Sequence, residues 1–282
     1  MQSFIEIYGK FLLFGSITIC ICTYILFISL VTKKRETIME PDYIINNKIK
    51  KIYNIDQNNS NTFTCNLPGI FEIHITVDPR NNYVKLVSFI EQNEKIIKLK
   101  VIHAITSIGN NQYMISHFTQ KDNINDVIDK ATYLANKMEE FGLIIKRVKV
   151  ESHSMVNAPQ NNSEYLILEK YLKDTFNTSK PYFEFHAKVN NKTDGFTIEK
   201  LEQDVAHFGN ISVSYNLCSA HMKPLLTIRL FDCGFIEAEN YKNYVLNNFK
   251  QIGYGFEALQ QEFSIYDTNQ KLDDGWIKYV NL

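Results

Sequence analysis

The stretch FEIHITV (Phe71 to Val77) returns as FEFHAKV (Phe183 to Val189), and this repetition constrains the fold more than any other feature of the chain. His74 and His186 stand 112 positions apart, and Gly142 and Gly253 stand 111 apart. Two markers so far separated keep nearly the same offset, which points to an internal duplication. Each copy alternates in the manner of a strand. Phe71, Ile73, Ile75 and Val77 share one face, and Glu72, His74 and Thr76 share the other. The second copy divides likewise, with Glu184, His186 and Lys188 on the polar face.

Around these strands the periodicity reads β-α-β-β-α-β, twice. Asn123 to Phe141 carries apolar residues at helical spacing, with Asn123 placed to cap its start and Gly142 its end. Ile236 to Ile252 is its counterpart, closed by Gly253. The expected fold class is therefore α+β: two tandem ferredoxin-like units, 70–152 and 181–282, joined by a linker over 153–180 with a short helix. Both helices of such a unit cover one sheet face, which leaves the histidine face open. Carrying the offset of 112 to the third strand pairs His117 with Arg229 and puts both on that face. Arg147 joins them by parity from the fourth strand. The expected site is a polar cleft holding His74, His117, Arg147, His186, Lys188 and Arg229, suited to gripping a phosphate or carboxylate.

Before the repeat, residues 11–31 form an uncharged apolar run of 21 residues, the length of a membrane-spanning helix. Lys33, Lys34 and Arg35 follow it, which by the positive-inside rule places the C-terminal globular region on the cytosolic side. No small-residue cleavage site follows the run, so a single-pass anchor (1–35) is preferred to a cleaved signal peptide. Residues 36–69 are polar and Asn-rich and read as a tether.

Composition narrows the function classes. The chain of 282 residues balances 30 Lys and Arg against 31 Asp and Glu, a net charge of −1, which excludes sequence-blind binding to polyanions over the whole surface. RNA recognition on an open sheet needs aromatics on the central strands, where this chain carries His and Thr. Cys218, His221 and Cys233 match no common zinc spacing, so neither a metal nor another cofactor is expected. The tail YDTNQKLDDGWI lacks the sixth-position glycine and closing glutamate of a calcium loop. Its Asn269 and Asp273 read as turn or cap residues, and Trp276 as an apolar anchor.

HITV (His74 to Val77) resembles the His-x-Thr-x signature of two-histidine phosphoesterases. That resemblance implies His74 and His186 as acid and base on a phosphodiester of a small nucleotide, with Thr76 holding phosphate oxygens. The second copy departs from the signature, with Lys188 where the family has Ser or Thr. Over Phe71 to Ile277, the segments QYM, RVKVE, YFEFHAKV and YDTNQKLDDGWI resemble an uncharacterised family of soluble proteins from bacteria, plants and large DNA viruses. This second resemblance implies a fold but no activity. Together these readings favour a membrane-tethered binding module for a small anionic or nucleotide ligand, with a phosphodiesterase as the alternative.

Overall fold

The computed structural model describes residues 68–80, 83–93, 97–190, 197–219 and 223–277. Eight strands run in the order β1 (Gly69–Val77), β2 (Lys100–Thr106), β3 (Asn111–Lys121), β4 (Ile145–Ser152), β5 (Tyr182–Asn190), β6 (Ile211–Asn216), β7 (Leu225–Leu230) and β8 (Gly255–Asp267). The α-helices among the described residues are α1 (Tyr83–Asn93), α2 (Ile124–Glu140), α3 (Asn162–Phe176), α4 (Ile198–Val205) and α5 (Phe235–Gln251). Every strand pairing is antiparallel, and the sheet closes on itself as β1-β3-β2-β6-β7-β5-β8-β4.

The apolar face of each copy of the repeated strand points outward, toward the helices. Phe71, Ile73, Ile75 and Val77 are fully buried together with Val127, Ala131, Leu134 and Met138 of α2. Phe183, Phe185 and Ala187 join Ala238, Val245 and Phe249 of α5 in the same core. Each of the Phe, Ile, Leu, Val and Met side chains among them contributes roughly 1.5–3 kcal/mol when removed from water. Asn123 accepts a hydrogen bond from the Asp126 amide at 2.8 Å and so starts α2. Gly142 and Gly253 follow α2 and α5 with φ of 84° and 100°, a backbone conformation that favours glycine.

The expectation of two tandem ferredoxin-like units is overturned by strand pairing across the halves. β2 pairs with β6 through Ala104↔Asn216, Ile105↔Tyr215 and Thr106↔Ser214. β4 pairs with β8 from Lys149↔Asp267 to Ser152↔Phe263. Each half alone would leave two sheet edges with unpaired backbone groups, and pairing the edges across the halves satisfies them. The result is one eight-stranded barrel. Strands β1–β4 and β5–β8 are its halves, and their polar faces line a lumen instead of two open sheet surfaces. The linker helix is also longer than expected, α3 covering 15 residues between Asn161 and Asn177 as its caps.

The membrane assignment is corrected as well. Among the described residues no helix is long and apolar enough to cross a membrane, and the architecture is a β-barrel. A single-pass helical anchor with a cytosolic globular region is thus not supported. The run over residues 11–31 and the tether before residue 68 lie outside the described residues.

Candidate functional site

Closing the barrel brings the polar faces of both halves into one lumen, because strand parity sends alternate residues inward. β1 supplies Glu72, His74 and Thr76, and β4 supplies Glu151, Lys149 and Arg147 directly opposite them. β5 supplies Glu184, His186 and Lys188; β8 sets Glu262 opposite Glu184 and Gln260 opposite His186. Nine buried charged side chains result: the acids Glu72, Glu151, Glu184, Glu262, Asp267 and Asp273, and the permanent cations Arg147, Lys149 and Arg229. Three histidines, His74, His153 and His186, sit among the surplus carboxylates.

The histidines occupy matching positions. His74 Nε2 lies 3.1 Å from Glu151 and 3.4 Å from Glu72. His186 Nε2 lies 3.2 Å from Glu184 and 3.3 Å from Glu262. Across the next strand Ser116 stands opposite His74, and Thr227 stands opposite His186. The Thr227 hydroxyl is 3.0 Å from His186 Nδ1, while the Ser116 hydroxyl donates to Glu72. His153, which follows β4, lies 3.1 Å from Glu72 and 3.7 Å from Glu262.

These contacts set the protonation states. Burial disfavours a charged His186, but its bonds to Glu184 and Glu262 prevail and hold its pKa at about 10, so it is an imidazolium at neutral pH. His153 is also raised, the loss of solvation being outweighed by Glu72 and Glu262. Glu151, despite its burial, is drawn down to about 2 by Lys149 and His74. Burial and the neighbouring Glu151 charge push Glu262 above its ordinary value.

One end of the lumen is shut by the tail. Past β8 the chain makes a 3-10 turn (Gln270–Asp273) that carries Asp273 inward. Asp273 accepts from Arg147 and Arg229, each at 2.9 Å, and from Gln112 at 3.2 Å. Asp267 accepts a second bond from Arg147, at 2.9 Å, and Tyr182 lies under the Arg229 guanidinium at 4.5 Å. The arginines expected to grip a ligand are therefore occupied by the chain's own carboxylates. Asp273 serves as a buried counter-ion and not as a cap. Trp276 lines the lumen and donates to the Val213 carbonyl at 3.1 Å.

Toward the other end the lumen continues into a cavity of about 1010 Å³, lined by Lys100, His153, Lys188 and Lys223 among others. Lys100, His186, Asn216, Leu225 and Gln260 line both spaces. Lys223 is paired with Glu257, whereas Lys100 and Lys188 form no ion pair among the described residues.

Of the residues singled out from sequence, His74, Thr76, Arg147, Lys188, His186 and Arg229 line these two spaces. His117 does not. It pairs with Ile73 and so belongs to the helix-covered face, where its Nδ1 bonds the Lys98 carbonyl at 2.9 Å. Sequence reasoning missed Glu262, Gln260 and His153. The first two were readable from the alternation Gln260, Glu262, Ser264 against Phe263 and Ile265. His153 lies beyond the last strand residue and carries no such signal. Cys218 is exposed and Cys233 buried, and His221 lies outside the described residues. Compared with family models, curated proteins and solved structures, the chain matches none.

Proposed function

We propose that this barrel binds a small anionic molecule, admitted through the cavity at its unplugged end. The observation that carries this reading is the pair Lys100 and Lys188, one from each half, lining a single cavity and in no ion pair among the described residues. Lysines brought together in this way attract anions through field as well as contact. The volume suits a metabolite, because ligand pockets commonly enclose about 300–1,000 Å³. At the opposite end Arg147 and Arg229 are already neutralised from within.

The phosphodiesterase alternative draws support from His74 and His186 lining one lumen. Against it, each Nε2 lies between two carboxylates, which would repel a phosphodiester. Titration calorimetry with inorganic phosphate, AMP and 2′,3′-cyclic AMP tests both. Saturable binding that is lost in the Lys100→Ala/Lys188→Ala double variant is the expected result. Absence of binding, or equal binding by the double variant, overturns the anion reading. Hydrolysis of the cyclic nucleotide that disappears in His74→Ala would move the assignment to the enzyme.

A further inference from the structure

The neck between mouth cavity and lumen carries a second chemistry, independent of the lysines. One carboxylate oxygen of Glu72, one of Glu262 and a ring nitrogen of His153 lie within 4.8 Å of one another. They come from three separate stretches of chain: β1, β8 and the residue after β4. His153 Nε2 stands 3.1 Å from Glu72 Oε2 and 3.7 Å from Glu262 Oε1. Donors that surround one cation at about 2.1 Å stand about 3–4 Å apart, so this triangle is near the size a metal requires.

The distribution of fixed charge makes this cluster different from the rest of the lumen. Glu151 pairs with Lys149, Glu184 with Arg229, Asp267 with Arg147, and Asp273 with both arginines. Glu72 and Glu262 have no Lys or Arg within ion-pair distance among the described residues and are left with histidines alone. Buried carboxylates are ordinarily paired or bound to metal. The Ser116 hydroxyl holds the other Glu72 oxygen, as an outer-shell partner of a ligand does. Gln260 Nε2 donates to the two donor oxygens themselves, Glu72 Oε2 at 3.2 Å and Glu262 Oε1, and a bound cation takes its place. Ser264, which shares the lumenal face of β8 with Glu262, is 1% exposed and its hydroxyl has no hydrogen-bond partner among the described residues.

We propose that Glu72, His153 and Glu262 form a binding site for one divalent cation. The donor set is two carboxylates and one imidazole with no thiolate, which suits Mn²⁺, Fe²⁺, Co²⁺ or Zn²⁺. Three protein ligands leave coordination positions for solvent or a ligand oxygen entering past His153. The assignment stands without the anion-binding reading. If both hold, the cation cancels the surplus negative charge of Glu72 and Glu262 beside the cavity that Lys100 and Lys188 line.

The test uses the full chain after chelator treatment, titrated calorimetrically with Mn²⁺, Co²⁺ and Zn²⁺ in turn. One equivalent per chain is expected for at least one of them. His153→Ala and the isosteric Glu262→Gln should each weaken it about tenfold or more, while His117→Gln, outside the lumen, leaves it unchanged. A pulsed EPR measurement on the Mn²⁺-loaded wild type needs no variant and should show coupling to one imidazole nitrogen. Absence of saturable binding by all three metals, binding indifferent to both ligand substitutions, or Mn²⁺ without nitrogen coupling would overturn the site.

Discussion

The two copies of the Glu-x-His strand share one lumen but differ in what neutralises their glutamates. In the second half, Glu184 faces Arg229 on β7, bonded at 3.0 and 3.2 Å, with Lys149 at 3.7 Å. In the first half the place of Arg229 opposite the glutamate is taken by Phe118, half-exposed and set against the His153 ring at 5.5 Å. Glu72 therefore has only His74 and His153 as ion-pair partners among the described residues. The antiparallel arrangement of β1 and β5 sends the second copy's glutamate to the tail-plugged end and the first copy's toward the mouth. The Glu-x-His pattern is present in both halves. The partners across the strands make one copy a closed ionic network and leave the other's glutamate without a Lys or Arg partner among the described residues.

The sharpest break in this comparison is a swap of the two facing residues for smaller or neutral ones. Arg229→Met removes the charge from a pair in which both side chains are 3% exposed. It leaves Glu184 with only Lys149 and His186 and removes half of the Asp273 clamp, a loss of about 3–5 kcal/mol for a buried pair losing one member. Phe118→Ala at the matching position should cost about 1 kcal/mol or less, because the ring is already half in water. Urea unfolding of both variants measures the difference, and similar losses would mean the halves carry equivalent networks. The tail is coupled to the same network. Asp273→Asn should destabilise by about 3–5 kcal/mol as well, and combined with Arg229→Met should cost less than the sum, since the two share a contact.

A smaller contrast lies in the hydroxyls. Ser116→Ala deprives Glu72 of a donor, and Thr227→Val deprives the His186 imidazolium of an acceptor. Each should cost about 1–3 kcal/mol, the range for leaving a buried polar group unpaired. Ser116→Ala is expected to be the larger, because Glu72 has no arginine to fall back on while His186 keeps both carboxylates. The opposite ranking in thermal unfolding would argue that Glu72 is the better compensated carboxylate.

The local elements were legible because strand alternation and helical spacing are properties of neighbouring residues. Helix caps at Asn123 and Gly142 fall in the same class. Closure was not legible, because it rests on β2–β6 and β4–β8 pairing between residues about 110 or more positions apart, whose backbone groups carry no sequence code. The ionic plug was hidden for a related reason: Asp267 and Asp273 acquire their meaning from arginines on distant strands. His117 is a different failure. Two offsets, 112 and 111, were readable, and β1 and β5 follow the first while β3 and β7 follow the second, as Ser116 opposite His74 and Thr227 opposite His186 show. A one-residue slip in register sends a strand's whole set of side chains to the other face.

That slip yields the finest test of the comparison. At the position of His117 the second half has Ile228, since His117 pairs with Ile73 and Ile228 with Phe185. His117 is 7% exposed, its Nε2 has no hydrogen-bond partner among the described residues, and Lys130 lies nearby. Burial, reinforced by the Lys130 charge and only partly offset by the Lys98 carbonyl, lowers its pKa below the ordinary histidine value. A histidine depressed in the folded state binds more protons when unfolded. Its contribution is therefore intact above the unfolded value of about 6.5 and is lost as pH falls through that value toward the folded one. His117→Ile makes the first half like the second at this position and removes that term. The drop in unfolding free energy between pH 7 and pH 5 should be smaller in the variant than in the wild type, with the lumenal titrations common to both cancelling in the difference. An unchanged pH slope would place the imidazole in water and not under the helices.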